Sequence, residues 1–337
     1  QEIEEYDFLN YAVFVTFFPQ LIAGPIVHHS EMMTQHSDLR KKIKNYKNIA
    51  MGLFIFSIGL FKKVILADTF SEWATNGFDV ATTLNLFEAW ATSLSYTFQL
   101  YFDFSGYADM AIGSALLFNI KLPINFNSPY KALNIQDFWR RWHISLSSWF
   151  RDYMFSPLYI YFQNSFFLKN KSIYLRHIIF FLLTLFATEF LLGLWHGAGW
   201  NYAFFGVYHA FLIGGYYLLK KYWDKLNKYI QIFLTFNLVC VGWLIFRSES
   251  LVQSLILIKS IFTDWNLSND LIPIYLKQFL ALSSLLFAHE IVEEIKNKRY
   301  AIMNSSKYIQ YFLYTCMFIA MILFGQFGER KFIYFQF

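Results

Sequence analysis

Charge is what this sequence has least of: Asp, Glu, Lys and Arg make up 15% of its 337 residues, where soluble domains carry about a quarter. With 56% hydrophobic and 22% aromatic residues, a soluble core of this size cannot hide the apolar surface, which excludes an ordinary water-soluble globule. Cysteine is nearly absent. Cys240 and Cys316 both lie in apolar runs without metal-ligand spacing, so they read as small core residues. His28, His29, His36, His177, His209 and His289 are scattered, with no His/Cys/carboxylate cluster, and no metal site is expected. The net charge of +5 is carried by basic residues that alternate with apolar runs, not by one solvated patch, and this excludes nucleic acid as a partner. No cleavable signal peptide is visible.

Long apolar runs are abundant. Residues 8–27, 48–67, 177–195, 200–219, 229–246, 271–291 and 308–325 are nearly charge-free, and each has about the twenty residues that cross a hydrocarbon layer as a helix. A longer, polar-interrupted run covers 86–118, giving about eight spans and an all-α, polytopic integral membrane protein. The chain starts on Gln and enters a span almost at once, so it reads as the C-terminal part of a longer protein. Nothing in 8–118 recurs in 177–325, which favours one domain over 1–337. Its least regular part is 119–176, where Pro123, Asn125, Asn127, Ser128 and Pro129 form a turn-rich stretch and Pro157 interrupts another run. Such backbone at membrane depth is tolerated where it is buried in protein or lines a cavity.

Basic connections face the cytoplasm. Arg40, Lys41, Lys42, Lys44 and Lys47 separate the first two spans, whereas the next connection holds Asp68, Glu72, Asp79 and Glu88 without Lys or Arg. The segment 119–176 carries eight Lys or Arg against Asp137 and Asp152, and Lys220, Lys221, Lys225 and Lys228 follow the fifth apolar run. This alternation places 119–176 on the cytoplasmic side and both chain ends on the other. Lys62 and Lys63, inside the second span, are expected to snorkel or face a cavity.

Three constellations carry chemistry. Asn134 followed by Asp137 reads as a helix start, after which Trp139, Trp142, His143, Leu146, Trp149 and Phe150 share one face of an amphipathic helix and Arg140, Arg141, Ser145, Ser148, Arg151 and Asp152 the other. His143 is either a structural histidine bonded to a carbonyl or a functional group. In Gly193-Leu194-Trp195-His196-Gly197-Ala198-Gly199-Trp200, glycines allow close backbone approach around a histidine flanked by tryptophans. A neutral imidazole there accepts a proton as a general base does; the alternative is an interfacial Trp belt with an incidental histidine. In Tyr101 to Asp109 two carboxylates, Asp103 and Asp109, sit inside a span. A structural pairing, with Arg140, Arg141 or Arg151, is favoured over catalysis.

With Phe17-Phe18-Pro19-Gln20-Leu21-Ile22-Ala23-Gly24-Pro25-Ile26, Asn125-Phe126-Asn127-Ser128-Pro129-Tyr130, Asp137 to Ser147 and the terminal Phe332 to Phe337, these stretches resemble the membrane-bound O-acyltransferase family, in its alginate and peptidoglycan O-acetyltransferase branch. The resemblance implies a ring of tilted helices around a thinned, tunnel-containing centre. It also implies catalysis at His196 and His143. Substrate contacts are expected at Trp195, Trp200, Trp139, Trp142, Arg140 and Arg141, and structural roles for Asp103, Asp109 and Asn127. Family members usually carry further N-terminal helices.

The expected activity is acetyl transfer from a cytoplasmic thioester, acetyl-CoA, with no bound cofactor, toward an extracytoplasmic polysaccharide. Peptidoglycan is favoured over alginate. The expected setting is a bacterial inner membrane, with lipid around the chain and a separate extracytoplasmic SGNH-type, esterase-like enzyme as partner. The rivals are D-alanyl transfer to teichoic acid and a polysaccharide exporter. An exporter predicts repeat symmetry and a path of charges, neither of which is visible.

Overall fold

The computed structural model describes residues 8–21, 24–81, 84–165, 172–263, 306–328 and 332–333. Among these residues the protein is helical and without strands. Five helices, Tyr46–Val80, Ile173–His196, Trp200–Trp223, Lys228–Arg247 and Lys307–Phe324, are long and apolar enough to cross a membrane, which makes the chain an all-α, multi-pass membrane protein.

One expected span is not a continuous helix. Instead of 8–27, α1 covers only Phe8–Thr16, because Pro19 and Pro25 supply no amide hydrogen and Gly24 has no room for a side chain against the Pro19 carbonyl. The expected span at 271–291 lies outside the described residues.

The chain forms two compact units: residues 1–70, 98–125 and 273–336, and residues 71–97, 126–272 and 337.

In the first unit, α2 (His29–Ser37) leads to α3 (Tyr46–Phe61), which starts where the Asn45 side chain accepts the Lys47 and Asn48 amides. The helix does not stop there. It widens into a π-turn over Lys62–Ala67 and runs on through α4 (Asp68–Thr75) toward Val80. Across from it lies the C-terminal part of α5 (Leu86–Leu117). A Cβ added to Gly59 would come within 2.5 Å of the Gly106 carbonyl, and one on Gly52 within 2.6 Å of the Gly113 carbonyl. The two backbones therefore touch at two points, the small-residue packing that membrane helices use. Phe54, Ile55, Ile58, Ile112, Leu116 and Met32 fill the core beside this seam.

The π-turn turns two lysines onto α5. Lys62 Nζ is 2.8 Å from Asp109 Oδ2, and Lys63 Nζ is 2.8 Å from both Asp68 Oδ1 and Asp103 Oδ1. Asp103 and Asp109 are thus paired with lysines of the preceding helix, not with Arg140, Arg141 or Arg151. Arg141 and Arg151 bind Asp137 and Asp152 instead. The reason is that a carboxylate out of water needs a cation at its own depth, and Lys62 and Lys63 sit in the helix packed against it.

The second unit holds α6 (Ile135–Trp139), α7 (Ile144–Phe150), α8 (Ser156–Asn164), α9 (Ile173–His196), α10 (Trp200–Trp223), α11 (Lys228–Arg247) and α12 (Leu251–Thr263). Helices α9 and α10 form a tight antiparallel hairpin, since a Cβ on Gly193 would strike the Tyr202 carbonyl and one on Gly206 the Glu189 carbonyl. The Asn201 amide donates to the Ser248 carbonyl at 2.9 Å, tying the start of α10 to the end of α11. The last described helix, α13 (Lys307–Phe324) of the first unit, has no buried residue. Cys316 on it is therefore exposed, unlike Cys240, which is buried on α11.

Candidate active site

The sequence read over Asn134 to Phe150 as one helix is, in the structure, two short helices and a corner. Its start is as expected: Asn134 Oδ1 accepts the Asp137 amide at 2.8 Å, and Asp137 returns the bond by accepting the Leu133 amide at 3.1 Å. Asp137 also takes the Arg141 guanidinium at 2.8 Å. Five residues later α6 ends. The Trp142 amide closes onto the Phe138 carbonyl at 2.9 Å, and His143 adopts φ 42°, ψ 55°, the left-handed region, before α7 begins.

For a side chain other than glycine that conformation costs about 1–2 kcal/mol, and the packing around it explains why it persists. The Trp142 ring is stacked on Phe138 at 5.7 Å, edge-on to Phe126 at 5.0 Å and against Trp243 at 4.7 Å. Asn127 braces the corner through its backbone, whose amide donates to the Arg141 carbonyl at 2.9 Å. At this corner His143 is 5% exposed. That burial, with a smaller contribution from nearby His196, pushes its imidazole down to about 3, so His143 is neutral at physiological pH.

His196 is the last residue of α9, where the chain leaves the helix through Gly197. It is 8% exposed. Its ring packs edge-on to Phe246 at 5.0 Å, Trp195 at 4.9 Å and Phe205 at 6.3 Å. Trp200 does not enclose it. With α10 starting at that residue, the Trp200 ring points outward and is 77% exposed, so α10 and α11 supply the cover through Phe205 and Phe246. His143 and His196 are both buried in one unit, and a charge on His196 bears on His143. Arg140 is exposed at the corner.

His209, which the sequence alone places among scattered histidines, belongs to this environment. It is fully buried on α10, its ring 4.6 Å from Phe205 and 5.0 Å from Trp139. Its Nδ1 accepts the Trp139 indole N–H at 3.2 Å. The available signal was an ionisable residue in the middle of an apolar 24-residue helix, which is a functional pointer by default.

The fold and the site define a multi-pass helical membrane protein with two buried imidazoles at the junction of a strained corner and a glycine-rich helical hairpin. The chain belongs to the membrane-bound O-acyltransferase family, whose model matches residues 1–252. It is 52% identical over 256 residues to the peptidoglycan O-acetyltransferase of Helicobacter pylori, covering 75% of this chain and 46% of that protein. To the probable alginate O-acetylase AlgI of Pseudomonas aeruginosa it is 36% identical over 266 residues, 78% of this chain and 48% of the other. To the teichoic acid D-alanyltransferase of Bacillus subtilis it is 32% identical over 245 residues, 70% and 60% of the two chains. The chain spans about half the length of the first two relatives.

Proposed function

We propose that the protein is a membrane O-acetyltransferase of the bacterial inner membrane. It takes an acetyl group from a cytoplasmic thioester, acetyl-CoA, and passes it across the membrane for O-acetylation of peptidoglycan. The observation that carries this reading is the burial of both His143 and His196 in one unit. His196 acts as general base: it removes the proton of the acceptor hydroxyl as the oxygen attacks the thioester carbonyl carbon. The carbon–sulfur bond then breaks, and the proton passes to the leaving thiolate.

His143, neutral and fixed by its corner, orients the thioester, since positioning alone lowers such barriers substantially. Arg140, Arg141 and Lys131 draw the anionic donor toward this side of the protein, and Trp139 and Trp195 line its approach. An extracytoplasmic SGNH-type enzyme receives the acetyl group and completes transfer to the sugar. The higher identity to the peptidoglycan enzyme than to the alginate and D-alanyl relatives supports peptidoglycan and acetyl.

The test supplies acetyl-CoA labelled in the acetyl carbon to membranes containing the protein and measures label in purified peptidoglycan. Incorporation that needs His196 supports the reading. Incorporation of D-alanine into teichoic acid instead, with no labelled acetate, overturns it.

A further inference from the structure

The geometry points to His209 as a positioning residue that holds Trp139, and through it the His143 corner, in register with the hairpin that carries His196. This deepens the proposed acetyl transfer and rests on it for its catalytic consequence. An indole N–H only donates, so the 3.2 Å bond from Trp139 to His209 Nδ1 requires a lone pair there and places the imidazole proton on Nε2. The ring cannot slide out of this arrangement. A Cβ on Gly242 of α11 would lie only 2.7 Å from Nε2, while Phe205 and Tyr208 pack edge-on against the ring.

What His209 fixes follows from the chain around Trp139. Helix α6 is five residues long, too short to be stable by itself, and two hydrogen bonds fasten it to α10. At its start the Trp223 indole donates to the Leu133 carbonyl at 2.9 Å; at its end Trp139 donates to His209. The Arg140, Arg141 and Trp142 amides bond back onto Gln136 and Phe138, so the corner moves with α6. Helix α10 in turn begins four residues after His196. Loosening Trp139 therefore lets His143 drift relative to His196, and a misplacement of about 1 Å costs on the order of a hundredfold in rate.

The experiment compares His209→Leu, His209→Asn, Trp139→Phe and the Leu/Phe double variant in the intact protein. Asn places its side-chain oxygen where Nδ1 stands and restores the acceptor; Leu does not. At equal amounts of folded enzyme, His209→Leu is expected to lower kcat about ten- to a hundredfold. His209→Asn recovers most of that loss, and the double variant is no worse than the poorer single one. A second readout does not depend on turnover. With 5-fluorotryptophan incorporated, the Trp139 fluorine resonance, assigned through Trp139→Phe, shifts and broadens in His209→Leu and stays sharp in His209→Asn.

Wild-type kcat in His209→Leu, multiplicative losses in the double variant, or a Trp139 resonance indifferent to His209→Leu would overturn the assignment. If the wild-type protein transfers no acetyl at all, the proposed reaction fails, and the fluorine spectrum still decides whether His209 holds Trp139.

Discussion

Lys63 Nζ lies 2.8 Å from Asp103 Oδ1, and the other oxygen of Asp103 accepts the Ile333 amide at 2.8 Å. One buried carboxylate thus joins the π-turn, α5 and the C-terminal stretch. Asp103→Ala removes the acceptor of the Ile333 amide, while Lys63 keeps Asp68 and its place over the Phe332 ring. The expected cost is about 1–3 kcal/mol, that of leaving a buried donor without its acceptor. Adding Lys63→Met takes the cation away from buried Asp68 as well, so Asp103→Leu with Lys63→Met should cost more than Asp103→Ala alone. Thermal unfolding of the detergent-solubilised protein measures this, and limited proteolysis near Ile333 shows whether the C-terminal stretch comes loose.

His196→Ala should lower acetyl transfer by about a hundred- to ten-thousandfold, the contribution of positioned proton transfer, with little change in protein abundance. His196→Gln keeps size and polarity without basicity and should fail as badly. Acetate released from peptidoglycan of cells with matched protein levels is the measure. Near-normal acetylation with Gln would take His196 out of the base role.

A pH dependence of stability follows from His143. Its folded value of about 3 lies below the usual value near 6.5 of an unfolded chain. The unfolded state therefore binds the proton first. The stabilisation is complete above about pH 6.5 and erodes as pH falls toward 3, at up to about 1.4 kcal/mol per pH unit. His143→Asn, a residue that tolerates the left-handed conformation, removes this titration. Between pH 7 and pH 5 its melting temperature should fall less than that of the wild type, while its acetyl transfer is reduced.

Asn134→Ala removes the acceptor of the Asp137 amide and should cost about 0.5–2 kcal/mol. Because α6 carries Trp139 and the corner, acetyl transfer should drop with it. Restoring activity with Ser or Asp at the position, both good caps, separates this from a general packing fault.

The long helices were legible because an apolar run of about twenty residues has few other fates. The start of α6 was legible too, since Asn134 and Asp137 satisfy each other's neighbourhood locally. The corner was not. Its left-handed residue is His143, with neither glycine nor proline to announce it, and it is held by Phe126, Phe138 and Trp243, which periodicity within one segment does not bring together. The partners of Asp103 and Asp109 were missed for a related reason: a π-turn shifts the helical phase just where Lys62 and Lys63 stand, and it leaves no composition signal. His209 did carry a signal, an ionisable residue inside an apolar helix, but the indole that gives it a role comes from another segment.

The seam between α3 and α5 has a mechanical consequence. Two helices in backbone contact at Gly59 with Gly106, and again at Gly52 with Gly113, cannot rotate about their axes without driving a carbonyl oxygen into a Cα, and sliding along each other meets the same obstacle at both points. Within the first unit these helices behave as a single stiff beam. Any displacement that accompanies turnover has to be taken up by other elements.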